Sequence, residues 1–162
     1  MGELDMAKEI ERKFLVKNPG IVSSYTGLPY VQGYVSTDET EVRIRVAGNR
    51  AYLTLKGVAK GPARDEYEYE IPVDDANAML VNFCGDRQVR KVRYRVPVDS
   101  HTFEVDVYAG ENEGLVVAEV ELSSDEETVN LPVWVGKELT GDKRFSNRSL
   151  ATAPFRDFAH TL

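Results

Sequence analysis

The sequence contains almost no cysteine or histidine. Among its 162 residues there is one cysteine, Cys84, and there are two histidines, His101 and His160. A single thiol excludes an internal disulfide and predicts a reducing compartment. Cys84 follows an apolar helical stretch with no activating base evident beside it, so a packing role is favoured over thiol catalysis. Two histidines far apart in the chain argue against a histidine-based zinc site.

Long apolar runs and an excess of basic residues are also missing. No run approaches transmembrane length, and the N-terminus has no apolar segment typical of a signal peptide. The 27 acidic and 20 basic residues give a net charge of -7, which counts against a general nucleic-acid binder. An acidic exterior is nevertheless compatible with a locally basic cavity. We therefore predict one cytoplasmic domain over residues 1–162, with neither nucleic acid nor a membrane as partner.

Alternating polar and apolar residues dominate the chain and predict eight strands. They cover residues 8–16, 29–36, 40–47, 50–57, 63–71, 88–97, 101–108 and 115–122. Hairpin turns are predicted at 47–50 and 98–101. Short helices are predicted at 74–83, where acidic residues favour the positive end of the helix dipole, and at 134–139 and 147–151. Strands of similar length with few helices favour an antiparallel barrel or sandwich.

Charged residues recur on one face of almost every predicted strand. Glu9, Glu11 and Lys13 share a face, because alternate side chains of a strand point the same way. The same periodicity gives the following further charged faces: Arg43 and Arg45; Thr54 and Lys56; Arg64, Glu66, Glu68 and Glu70; Lys91, Arg93 and Arg95; Glu104 and Asp106; and Glu119 and Glu121. Apolar residues occupy the opposite faces.

Two interpretations of these charged faces are open. Any one strand fits a sheet whose charged face lies in water. The whole set fits less well, because neighbouring arginines repel one another unless an anion screens them, and paired glutamates pose the same problem. A polyanion beside the arginines and a divalent metal ion between the carboxylates would relieve both repulsions. Oxygen ligands favour Mg²⁺ or Mn²⁺ as that ion. The charged face would then line a barrel interior with room for one small ligand, and the segments 74–83 and around Trp134 would cover the outside.

The order of these segments resembles the signature of the CYTH superfamily, also called triphosphate tunnel metalloenzymes. The similar segments are Glu9-x-Glu11-x-Lys13, Gln32-Gly33-Tyr34, Arg43-x-Arg45, Leu53-Thr54-Leu55-Lys56-Gly57, Arg64-x-Glu66-x-Glu68-Tyr69-Glu70-Ile71-Pro72, Lys91-x-Arg93-Tyr94, Glu104-x-Asp106, Ala118-Glu119-x-Glu121-Leu122 and Thr140-Gly141-Asp142-Lys143-Arg144-Phe145-Ser146-Asn147. The similarity spans about residues 8 to 155 and is greatest to the small bacterial single-domain branch. It implies a mainly β protein with a few helices (α+β), built as a closed eight-stranded antiparallel β-barrel around a tunnel.

The resemblance also implies a role for individual residues. The implied metal ligands are Glu9, Glu11, Asp106, Glu119 and Glu121, and the implied phosphate-binding residues are Lys13, Arg43, Arg45, Lys56, Arg64 and Arg93. Tyr34 and Lys91 match a catalytic pair in which the tyrosine accepts a proton and the lysine lowers its pKa. Glu66 and Glu68, with Asp106, would hold a second metal ion or orient the attacking water.

The function that the resemblance implies is metal-dependent hydrolysis of inorganic triphosphate, with Mg²⁺ or Mn²⁺ as cofactor. Thiamine triphosphate and nucleoside triphosphates stay open as substrates, as does a homodimer. One alternative is a class IV adenylyl cyclase, although the Gln-Gly-Tyr and Arg-x-Glu-x-Glu-Tyr-Glu-Ile-Pro segments are more similar to the triphosphatase branch. Another alternative is a polyphosphate-binding module without catalysis. The paired carboxylates argue against that module, because binding alone needs only the basic residues.

Overall fold

Nine antiparallel strands form one sheet in the computed structural model, which describes residues 10–58 and 64–162. The strands are β1 (Ile10–Val16), β2 (Leu28–Ser36), β3 (Glu41–Ala47), β4 (Arg50–Lys56), β5 (Glu66–Ile71), β6 (Gln88–Val98), β7 (His101–Tyr108), β8 (Val116–Leu122) and β9 (Val135–Glu138). All eight predicted strands are present, and both predicted hairpin turns join paired strands, Ala47 to Arg50 and Val98 to His101. The mainly β fold class with few helices is confirmed.

The sheet is open, which corrects the prediction of a closed eight-stranded barrel. Its strand order is β5-β4-β3-β2-β6-β7-β8-β1-β9. No hydrogen-bonded pairing joins β5 to β9 within residues 10–58 and 64–162, so these two strands form the edges. The ninth strand replaces the helix predicted at 134–139, and that prediction was wrong. β9 satisfies backbone groups on the second edge of β1, which a six-residue helix would leave unpaired.

A helical segment and the turn that contains Trp134 cover the outer face of the sheet, the two places that the sequence predicted. Helix α1 (Val73–Met79) continues as a π-helical turn through Cys84 and packs Ala76 and Leu80 against Ile44. Cys84 is fully buried in this cluster, in agreement with the predicted packing role. Over the other half of the sheet, the Trp134 ring packs edge-on against Phe103 with ring centres 5.5 Å apart. No helix in the described ranges has both the length and the apolar character needed to cross a membrane.

The inner, concave face changes character along its length. Towards one end it is charged, and towards the other it is apolar, with Tyr34 and Tyr108 buried there. A segment that we call the floor, residues 143–152, closes this apolar end and includes helix α2 (Asn147–Thr152). Phe145 and Leu150 of the floor are buried against the two tyrosines. The charged half of the concave face is therefore a cavity that ends on the floor, whose apolar residues Phe145 and Leu150 pack in the core.

Gly33 marks a close approach between the sheet and the helical cover. A Cβ atom at this position would lie 2.5 Å from Leu80 Cδ2 and 2.7 Å from Cys84 Sγ. We expect Gly33→Ala to lower the free energy of unfolding by about 1–3 kcal/mol through overpacking, measured by urea denaturation. Gly57→Ala is the matched control, because its Cβ would meet Asp65 at an ordinary 3.6 Å. Equal stability of the two variants would contradict this packing argument.

Candidate active site

The charged half of the concave face encloses a cavity of about 660 Å³. Its described lining contains eight lysine or arginine side chains and three glutamates, in a protein whose net charge is -7. The cavity is thus locally basic although the whole protein is acidic. The predicted phosphate-binding residues that line it are Lys13, Arg43, Arg45, Lys56, Arg64 and Arg93. All six residues of that prediction therefore face one space.

Arg43 and Arg45 of β3 form the centre of the basic wall. Their Nη2 atoms lie 3.4 Å and 3.5 Å from the same Glu68 carboxylate oxygen, which also accepts a 2.8 Å hydrogen bond from Thr54 Oγ1. The Nε atoms of both arginines are buried and have no hydrogen-bond partner in the described structure. Burial and the neighbouring charge of Arg43 lower the pKa of Arg45. One carboxylate thus serves two guanidinium groups, and two buried donors remain without an acceptor in the described structure.

Lys91, Arg93 and Asp106 form a buried ionic cluster beside the floor. Arg93 donates from Nε and Nη2 to the two Asp106 oxygens at 2.7 Å and 2.9 Å, and Lys91 Nζ donates to Asp106 Oδ2 at 2.8 Å. Burial lowers the pKa of Lys91 to about 8, although the Asp106 charge opposes the shift. Burial disfavours ionised Asp106, but Arg93 and Lys91 hold its pKa below the ordinary value. Asp106 therefore stands between two cations, whereas the sequence predicted a metal ligand.

Glu11 and Glu119 lie where the basic cavity meets a second, acidic one. The second cavity has about 260 Å³ and is lined by Glu104 and Glu121 as well as by these two residues. A hydrogen bond with Glu119, reinforced by desolvation, raises the pKa of Glu11 to about 8. The two carboxyl groups share a proton at a position that a divalent cation would fit. The predicted ligand Glu9 lies outside the described residues.

Tyr34 is brought to the cavity, but its surroundings differ from the prediction. Burial raises the pKa of Tyr34 to about 12, with Arg43 acting in the opposite direction. This direction is the reverse of the one expected for a tyrosine that accepts a proton. Its hydroxyl accepts a 3.3 Å hydrogen bond from Gln32 Nε2, while Lys91 donates to Asp106 and to Asn147 Oδ1. Tyr34 is therefore a protonated phenol at the cavity wall.

The remaining predicted residues are spread along the basic rim. Glu66 is exposed, with an oxygen 3.9 Å from Lys56 Nζ. Arg64 lies 3.9 Å from the buried carboxylate of Glu41. Glu68 supports the two arginines of β3, as described above. Glu66 is thus outside the residues that line the basic cavity and the acidic cavity.

Several residues that line the cavity were missed by the sequence analysis. They are Gln32, Glu41, Lys143, Ser146, Asn147, Arg148 and Ser149. Glu41 has the same strand parity as Arg43 and Arg45, so the alternation on β3 contained the signal for it. Lys143, Ser146 and Asn147 belong to the segment Thr140–Asn147 that the resemblance included, in which the sequence left Lys143 open between capping one mouth of the tunnel and a solvated surface role, whereas Arg148 and Ser149 follow that segment. Their inward orientation depends on tertiary packing, which no periodicity reports.

The sheet and its cavity define a class of protein. This class comprises β proteins with a basic wall on one face of an antiparallel sheet and a group of carboxylates next to it. The family model described as CYTH domain matches residues 7–152. The chain belongs to this family, which is metal-dependent.

Two curated relatives and one solved structure are similar over most of the chain. A protein of Acetivibrio thermocellus named inorganic triphosphatase is 44% identical over 154 residues, covering 94% of this chain and 99% of its own. A protein of Nitrosomonas europaea with the same name is 40% identical over 150 residues, covering 88% and 96%. The crystal structure of the inorganic triphosphatase NE1496 superposes with a TM-score of 0.72 at 38% identity, covering 90% of this chain and 95% of its own.

Proposed function

We propose that this protein is an enzyme that hydrolyses inorganic triphosphate to pyrophosphate and phosphate with the help of a divalent metal ion. The observation that carries the proposal is the pair of buried, unpartnered donors, Arg43 Nε and Arg45 Nε, in a cavity where cations outnumber carboxylates. Such donors destabilise the free protein unless an anion accepts their hydrogen bonds. The names of the two relatives at 40% and 44% identity support the same activity.

The chemistry of the acidic side fits a hard metal ion. The described residues contain no group of three histidine, cysteine or carboxylate side chains spaced to hold a metal. Mg²⁺, however, typically binds through one or two carboxylates together with substrate phosphates and water. Glu11 and Glu119 would supply that pair, with Glu121 lining the same acidic cavity, and Mg²⁺ or Mn²⁺ is the preferred ion. A metal ion bound there would polarise a phosphoryl oxygen and neutralise charge.

The side chains of the protein bind the phosphate chain through opposite charge and through hydrogen bonds. Arg43, Arg45 and Lys56 neutralise the phosphate oxygens, whose charge spreads during in-line displacement by water. Lys91, whose side chain is completely buried and lies outside the residues that line the cavity, shares Asp106 with Arg93 and so helps to hold the Arg93 guanidinium group at the cavity wall. We assign Asp106 to the positioning of Lys91 and Arg93 rather than to metal binding. Tyr34 donates a hydrogen bond from its phenol to a phosphate oxygen.

Product release from three substrates tests the proposal. Inorganic triphosphate, ATP and thiamine triphosphate are each supplied with Mg²⁺, with Mn²⁺ or with a chelator, and phosphate, pyrophosphate and cyclic AMP are measured. We expect metal-dependent phosphate release that is fastest from inorganic triphosphate. Cyclic AMP as the main product from ATP would overturn the proposal in favour of a cyclase. Metal-dependent binding of triphosphate without turnover would instead identify a binding module.

A further inference from the structure

The floor contacts two lysines that reach it from different strands. Lys13 of β1 donates from Nζ to the backbone carbonyl oxygen of Phe145 at 3.1 Å. Lys91 of β6 donates from Nζ to Asn147 Oδ1, also at 3.1 Å. These acceptors are two residues apart in the floor, and Phe145 is fully buried. A short, well-packed stretch therefore sets the positions of both ammonium groups.

Asn147 is itself held in one orientation. Its Oδ1 also accepts a 2.7 Å hydrogen bond from the hydroxyl of Tyr108, which is buried under the floor. A lysine ammonium can only donate, so the amide atom that faces Lys91 must be the oxygen. The residue before it, Ser146, caps helix α2 by accepting a hydrogen bond from the backbone nitrogen of Ser149. Backbone and side chain of Asn147 are thus both constrained.

Lys91 depends on such contacts because its side chain is completely buried. An ammonium group has three donors, of which Asp106 takes one and Asn147 a second. Asp106 alone would leave Nζ free to turn about that single bond. The Asn147 contact fixes the direction in which the remaining donor points. Misplacement of a reacting group by about 1 Å can cost about 10²-fold in rate, so this contact has the size of effect that a kinetic experiment detects.

We propose that Asn147 is a positioning residue that fixes the buried Lys91 ammonium group and, through Asp106, the Arg93 guanidinium group at the cavity wall. The inference rests on the proposed function for its kinetic consequence, but the contact itself is independent of it. Asn147 acts through Lys91 and Tyr108, so its substitution affects the chemical step more than substrate affinity. Asn147 then belongs to the active site, whereas the exposed Thr152 at the end of the same helix does not line the cavity.

A double-mutant cycle with Asn147→Leu and Lys91→Met tests this proposal. Leucine has nearly the shape of asparagine but no acceptor, and we expect a loss of about 10²-fold in kcat with KM changed by less than about threefold. In the Lys91→Met background, Asn147→Leu should lower kcat by less than about threefold further, because its target is gone. The proposal would be overturned if the loss of kcat in the double variant equalled the product of the losses in the two single variants. A rise in KM with kcat unchanged in Asn147→Leu would overturn it as well.

Two further variants separate positioning from folding. Asn147→Asp keeps an acceptor oxygen, so its kcat should exceed that of Asn147→Leu by about tenfold or more, while its added charge raises KM. Failure of this rescue would also count against positioning. Thr152→Val is the control, because Thr152 lies exposed on the same helix and bonds only to the Ser149 carbonyl among its described hydrogen bonds. Its kcat and melting temperature should match those of the wild type.

Melting temperatures of the four proteins in the cycle distinguish this proposal from the proposed function. If the wild type fails to hydrolyse triphosphate, the proposed function is wrong. The Lys91–Asn147 contact is still tested, because residues in contact have non-additive effects on stability. If the changes in melting temperature of the two single variants do not add up to that of the double variant, the contact is supported even in an inactive protein. If they do add up, the contact is contradicted.

Discussion

Replacing Glu11 by glutamine is expected to reduce metal-dependent triphosphate hydrolysis by about 10³-fold or more. Metal polarisation of a phosphoryl oxygen supplies several kcal/mol, and each 1.36 kcal/mol corresponds to about a factor of ten. Glutamine keeps the shape of the side chain but removes the charge that a divalent cation requires. Steady-state rates over a Mg²⁺ or Mn²⁺ titration measure the loss. Activity within about tenfold of the wild type would remove Glu11 from the metal site.

The same substitution is expected to stabilise the metal-free protein at alkaline pH. The pKa of Glu11 is raised from 4.5 to about 8 in the folded state, so the folded protein retains a proton that the unfolded chain has lost. Stability therefore falls as pH rises through this window, from about 4.5 to about 8. Glu11→Gln removes that decline, and its melting temperature at about pH 8.5 should exceed that of the wild type in the presence of a chelator. A lower melting temperature would contradict the shared-proton arrangement with Glu119.

Replacing Arg45 by glutamine is expected to lower kcat/KM for triphosphate by about 10²-fold. Truncating one partner of a buried, charged hydrogen-bonded contact costs about 2–5 kcal/mol, and the unpartnered Nε of Arg45 is such a donor for a phosphate oxygen. Initial rates over a range of triphosphate concentrations give kcat and KM separately. We expect the larger change in KM, since Arg45 binds the ground state as well as the transition state.

Arg50→Gln provides the matched control on the neighbouring strand. Arg50 pairs with Glu70 at 2.6 Å, and both side chains are exposed. Exposed ion pairs contribute little to stability because solvent screens them, and Arg50 is outside the residues that line the basic cavity. Its kcat/KM should stay within about twofold of the wild type. Equal losses in Arg45→Gln and Arg50→Gln would show that general electrostatics, rather than the cavity, governs the affinity.

Strand periodicity predicted the walls of the cavity because side-chain direction in a strand follows directly from sequence parity. Arg43, Arg45 and Lys56 therefore face the predicted side. The strand β9 was missed because its four residues are too few to show alternation, and its formation depends on the free edge of β1. The sequence could not show whether the barrel closes either, because closure depends on the positions of the two edge strands relative to each other.

The chemistry of individual groups was less predictable than their direction. The sequence predicted that a nearby cation would lower the pKa of Tyr34, but burial outweighs the charge of Arg43 and raises it. Burial is a property of the packed floor, which lies more than a hundred residues further along the chain. Asp106 illustrates the same limit, because two cations reach it from β6 and occupy both of its oxygens. Parity gives the face of a side chain but not its partners.

The packing of the floor has a consequence for substrate entry and product release. Phe145, Leu150 and the buried tyrosines fill one end of the concave face, so a phosphate chain cannot thread past them. A long polymer would present only its terminus to the part of the cavity beside the floor and would have to withdraw before the next cleavage. The enzyme would consequently act distributively on long chains rather than processively. Pyrophosphate could not leave through the floor and would have to depart by the side that faces the acidic cavity or by the open part of the sheet.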